Sequence, residues 1–124
     1  MRIFKNAWFE RFAKKENLTD AMLKKAIYQA EKGLIDADLA QGVIKQRIAR
    51  PNQGKSGGYR SIVLYLKGNR AFFVYGFAKN RQDNIREDEK QAFKSMAGWV
   101  LALSDEHLAA LLEQQQFFEV VEHE

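Results

Sequence analysis

The apolar residues change their spacing twice along the chain, dividing it into a helical stretch, an extended stretch and a second helical stretch. Met1 to Lys5 reads as a short first strand. Trp8, Phe9 and Phe12 then share one helical face over a segment ending near Asn17. Thr19 or Asp20 can cap a second helix, with Leu23, Ala26, Ile27 and Ala30 as its apolar stripe and Gly33 as its stop. Leu34 to Gly42 reads as a connection. From Val43 the period becomes two, with Ile44 and Ile48 on one face and Lys45 and Arg47 on the other.

Pro51 to Gly58 carries three glycines with asparagine and serine, which suits a mobile loop between antiparallel strands rather than a helix. Tyr59 to Leu66 and Ala71 to Phe77 are rich in β-branched and aromatic residues, and Lys67-Gly68-Asn69-Arg70 between them predicts a hairpin turn. Glu87 to Leu103 repeats apolar residues at Phe93, Met96, Ala97, Val100 and Leu101 and begins with three acids, as a helix start favours. Ser104 can cap a last helix to about Glu113, and Phe117 to Val121 is expected to be a closing strand or a packed tail. These elements predict an α+β fold: a small antiparallel β-sheet with two N-terminal helices on one side, C-terminal helices, and one sheet face free for a ligand. With 124 residues, 46% of them hydrophobic, one domain over 1–124 is expected.

Charge changes the picture. Between Leu39 and Gln82 there are nine lysines and arginines and no acid, whereas the remaining residues hold all 16 acids against 11 bases. The formal total of +4 therefore understates how positive the sheet half is, and such a surface suits phosphates. Without cysteine, disulfides, thiolate zinc sites and cysteine nucleophiles are excluded, and a cytoplasmic location is expected. The longest apolar runs are far below the roughly 20 residues that cross a bilayer, so no membrane partner is expected.

Alternation places Lys45 and Arg47 about 6.5 to 7 Å apart, near the spacing of successive phosphates. With no acid in the same stretch, no carboxylate of the sheet is expected to pair with them. Arg60 opens the next strand, where its planar guanidinium can grip a phosphate and stabilise developing charge. Lys79, after the third central strand, is expected to converge on the same spot. Arg50 and Lys55 are expected to touch backbone phosphates, while Tyr59, Tyr75 and Phe77 are candidates for stacking on bases. Gly54-Lys55-Ser56 does not extend to a nucleotide-binding loop, because the pattern's first glycine falls on Ala49 and strand-like sequence follows. His107 and His123 lie far from the basic segment, and Asp36 with Asp38 makes no convincing metal pattern, so neither a metal nor a cofactor is expected. RNA carries its own nucleophile in the 2′-hydroxyl. Its cleavage needs positioning, charge stabilisation and proton transfer, and a cation cluster can supply the second.

The run Ile44-Lys45-Gln46-Arg47-Ile48-Ala49-Arg50, the loop Gln53 to Arg60 and the stretch Phe73 to Asn80 resemble the RelE/ParE toxin superfamily, nearest its HigB-like branch. The resemblance spans most of the chain. It implies a toxin of a type II toxin–antitoxin pair, held by a cognate antitoxin of helix-turn-helix type, that cuts messenger RNA in the ribosomal A site without metal. By position Lys45, Arg47 and Arg60 match the family's phosphate-contacting and catalytic bases, and Lys79 matches a basic residue after the last central strand. RelE itself has a tyrosine shortly after that segment, and Asn84 to Glu87 offers none. Proton transfer would then fall to Lys45, crowded by Arg47 and Arg60, to Arg47, or to a nearby tyrosine. The rival readings are a non-catalytic ParE-like inhibitor of DNA gyrase and a simple nucleic-acid-binding module. The oligomeric state of the free chain is left open.

Overall fold

Asn6 ends a strand and starts a helix with the same side chain, its Oδ1 accepting from the Phe9 amide at 2.8 Å and its Nδ2 donating to the Val74 carbonyl at 3.2 Å. This junction fixes β1 (Arg2–Asn6) against α1 (Ala7–Glu16), which closes on Asn17 in the left-handed conformation. Thr19 caps α2 (Asp20–Glu31) through a 3.2 Å bond from the Met22 amide, and Gly33, at φ +87°, lets the chain turn away. The computed structural model describes residues 1–50, 58–82 and 84–121.

Four further strands follow the order of the sequence: β2 (Ala37–Asp38), β3 (Val43–Ile48), β4 (Tyr59–Leu66) and β5 (Arg70–Ala78). Two helices, α3 (Glu87–Val100) and α4 (Asp105–Glu113), precede β6 (Phe117–Glu119). The fold is α+β: among the described residues, a six-stranded sheet ordered β2-β3-β4-β5-β1-β6 with four helices. The sheet is mixed rather than purely antiparallel, because β1 inserts beside β5 in parallel and β6 closes antiparallel on β1. Leu34 to Gly42, expected as a plain connection, contains β2; two residues are too few to show a period in the sequence. Among the described residues no helix is long and apolar enough to cross a membrane.

Both sheet faces carry helices. On one, Phe9 and Ala13 of α1 and Leu23, Ala26 and Ile27 of α2 pack on Ile44, Ile48, Val63 and Phe73. On the other, Ala97, Val100 and Leu108 of the C-terminal helices pack on Phe4, Val43, Leu64 and Phe72. The face expected to meet a ligand thus also carries the C-terminal helices. Each fully buried side chain, such as Leu23 or Phe72, contributes about 1.5–3 kcal/mol, which is why two apolar faces recruit two helical layers.

Gln46 and, opposite it, Ser61 are polar side chains buried on the face of the first core. Gln46, 3% exposed, donates through Nε2 to the carbonyls of Ala26 (2.9 Å) and Leu34 (3.0 Å), and its Oε1 accepts from the Asp36 amide at 3.2 Å. It ties β3 to α2 and to the segment leading into β2. Gln46→Ala strands these groups without partners, so a loss of about 2–3 kcal/mol in urea unfolding is expected. A change below a few tenths of a kcal/mol would show that the tie is dispensable.

Candidate functional site

The register of β3 on β4 sets the site: Lys45 stands opposite Ile62, and Arg47 opposite Arg60. On the next strand Ile62 faces Tyr75 and Arg60 faces Phe77. Two rows therefore cross the sheet on one face, Lys45–Ile62–Tyr75 and Arg47–Arg60–Phe77, with strands about 4.8 Å apart. They continue the row Val43–Leu64, which lies in the core beneath the C-terminal helices, out to the end of the sheet. Lys45 and Arg47 share a face, as the alternation predicts, and Arg60 stands on it opposite Arg47.

Two arginines directly opposite each other repel by a few tenths to about 1 kcal/mol. The countercharge comes from Asp36, just before β2. Its Oδ2 lies 3.1 Å from Arg60 Nε and 4.0 Å from Lys45 Nζ. The expectation that no carboxylate reaches these bases is overturned. Both cations are largely enclosed, the Arg60 side chain 13% and the Lys45 side chain 18% exposed. Arg60 Nη1 is buried and has no acceptor among the described residues. Gly58 enters β4 where a Cβ would sit 2.9 Å from the Ile48 carbonyl oxygen and 3.4 Å from Arg47 Nε, so the close approach of chain and guanidinium requires glycine there. An open groove of about 510 Å3 between α2 and β3 reaches the cluster and is lined by Met22, Lys25, Leu34, Asp36 and Arg47 among others.

The remaining candidates separate. Tyr59 lies on the opposite face, 5% exposed, in the core under α1. Its hydroxyl donates to Glu16 at 2.6 Å and accepts from Arg50 Nη1 at 3.2 Å, and burial, followed by that bond to Glu16, raises the phenol's pKa. Base stacking by Tyr59 is corrected to a core role. Arg50 goes with it, its guanidinium 5.5 Å from the Tyr59 ring and away from the Lys45–Arg60 rows. Phe77 is on the cluster's face but only 5% exposed, a wall beside Arg60 rather than a stacking platform. Lys79 is exposed in the turn after β5, one residue beyond Ala78, at the cluster's end of the sheet. Lys55 lies outside the described residues.

Tyr75 stays with the site. It is half-buried, 4.7 Å from the Trp8 ring and 6.0 Å from Phe93, and its hydroxyl donates to Gln82 Oε1 at 3.3 Å. Tyr65 is on the other face, its hydroxyl bonded to Glu31, and burial raises its pKa. Tyr75 is thus the tyrosine that shares a face with the cations. Sequence reasoning missed Asp36 and did not separate Tyr75 from the rest. Asp36 falls three residues outside the acid-free stretch, and its closeness to the bases was the available signal.

A family model matches residues 1–120, that of the RelE toxin of the RelE/RelB toxin–antitoxin system. The chain belongs to the RelE toxin family. No curated protein matches the chain. Membership makes this RelE-family chain a toxin of a toxin–antitoxin system, with a cognate antitoxin as its partner.

The raised phenol of Tyr59 has a measurable consequence. A group whose folded pKa exceeds its unfolded value contributes stability that is fully present below the unfolded value, about 10, and is lost as pH rises through the folded one. Unfolding free energies should therefore fall above about pH 10, and Tyr59→Phe should flatten that fall relative to its own value at about pH 8. Parallel curves for the two proteins would contradict the assignment.

Proposed function

We propose that this chain is a ribosome-dependent mRNA endoribonuclease of the HigB-like branch, working without metal as one domain in the cytoplasm and silenced by a helix-turn-helix antitoxin. Toxins of the family are in general translation-inhibiting mRNA interferases, which supports the reading. The observation that carries it is the meeting of Lys45, Arg47 and Arg60 on one face, Arg47 directly opposite Arg60. In line with phosphate spacing, the two side chains of β3 would engage neighbouring phosphates, and Arg60 would stabilise the charge that builds on the pentacoordinate phosphorus. The attacking oxygen is the substrate's own 2′-hydroxyl, so the protein contributes position, charge and proton transfer.

For the proton, Tyr75 is the group of choice. Tyr59 and Tyr65 are committed to glutamates on the other face, whereas Tyr75 stands in the row of Lys45 with its hydroxyl on a neutral amide. Lys45 faces the Asp36 carboxylate at 4.0 Å, and its part in this reading is contact with the phosphate. Lys79, at the same end of the sheet, would add attraction for the transcript rather than chemistry.

Cleavage of a translated message, mapped by transcript ends, tests this. Codon-phased cuts only when ribosomes translate are expected. Arg60→Ala should lower the rate by about 10²–10³ and Tyr75→Phe by about 10²–10⁴, with the fold retained by circular dichroism. Intact transcripts beside trapped gyrase in a supercoiling assay would replace this reading with the ParE-like one.

A further inference from the structure

Asp36 is a negative charge beside groups that would receive a negatively charged substrate. In a site devoted to phosphate this lowers ground-state attraction, so its presence calls for a reason. The backbone around it is built, not incidental. Its amide is held by the buried Gln46 side chain at 3.2 Å, and the next two residues pair with β3, Ala37 with Lys45 and Asp38 with Ile44. Asp38 Oδ1 then accepts from the Ala40 amide at 2.8 Å, and the Leu39 amide donates to the Val43 carbonyl at 2.9 Å. The carboxylate so placed takes the Nε edge of Arg60 and sits between Arg60 and Lys45, on different strands.

We propose that Asp36 is a positioning residue for the reaction: it fixes the orientation of the Arg60 guanidinium and its spacing from Lys45, leaving the other guanidinium nitrogens for the phosphate. The inference rests on the nuclease reading and deepens it. A guanidinium offers five donors in a planar fork, and holding one edge decides where the others point. Arg60 Nη1 is buried with no acceptor among the described residues, so the carboxylate on Nε is the contact that holds the guanidinium. Opposite Arg47, an unheld Arg60 would swing away from the like charge, and the two-cation geometry would be lost.

Two measurements test it. In single-turnover cleavage of translated message, Asp36→Ala should lower the maximal rate on the order of tenfold to a hundredfold while the concentration for half-maximal rate stays the same or falls, because a repelling charge has gone. Asp36→Asn, which keeps shape and an acceptor oxygen, should lie between. A merely structural role would reduce the active fraction and leave both constants of the folded remainder unchanged. In NMR of the free protein, the Arg60 Nε–Hε resonance, identified by its loss in Arg60→Lys, should stand apart from those of exposed arginines and merge with them in Asp36→Ala. An unmoved resonance, or a rate equal to or above that of the parent, overturns the proposal. If the parent chain cuts no message, the nuclease reading fails separately, and the resonance still decides whether Asp36 orients Arg60.

Discussion

Everything at the candidate site depends on the register of β3 against β4. A slip of one residue would turn Lys45 and Arg47 toward α2 and drive Ile44 and Ile48 out of the core beneath it. The two faces of β3 therefore police each other: apolar burial on the α2 side holds the cations on the other. Gln46 adds a polar check, since its three hydrogen bonds to Ala26, Leu34 and Asp36 can form only in this register. The same side chain thus sets the strand that carries two bases and the segment that carries their counter-ion.

Much of this was legible in the sequence, because period and capping are local. The helices α1, α2, α3 and α4 lie where apolar spacing, Thr19, Gly33 and Ser104 put them, and the parity of β3 gave the shared face of Lys45 and Arg47. Parity in β4 also placed Tyr59 opposite Arg60, a signal that its position among basic residues obscured. What the sequence hid is non-local. Nothing local says that β1 should insert beside β5 or that Ala37 and Asp38 should pair with β3.

The β-bulge at Ile62/Val63 is the clearest of these hidden features. Strict alternation would put Phe73, Tyr75 and Phe77 on a single face. With the register shift, Val63 pairs with Phe73 and Ile62 with Tyr75, so Phe73 stays under α1 and α2 while Tyr75 and Phe77 move to the side of the cations. An extra residue in one strand is invisible to periodicity, yet it alone turns the Tyr75 ring toward the basic rows. The bulge thus does for the aromatic what the β3 register does for the bases.

The treatment of another buried cation separates structural from functional charge in this fold. Lys5, 8% exposed on β1, meets two carboxylates, Glu10 at 2.8 Å and Asp20 at 3.2 Å, and Asp20 also accepts from the Val121 amide. Two carboxylates close on this one buried ammonium, with the exposed Lys14 also 3.5 Å from Glu10, and the pairs tie a strand, two helices and the C-terminal segment together. At Asp36, among the described residues, one carboxylate serves both Arg60 and Lys45. Under the proposed function an anionic substrate would add the further negative charge facing these two cations.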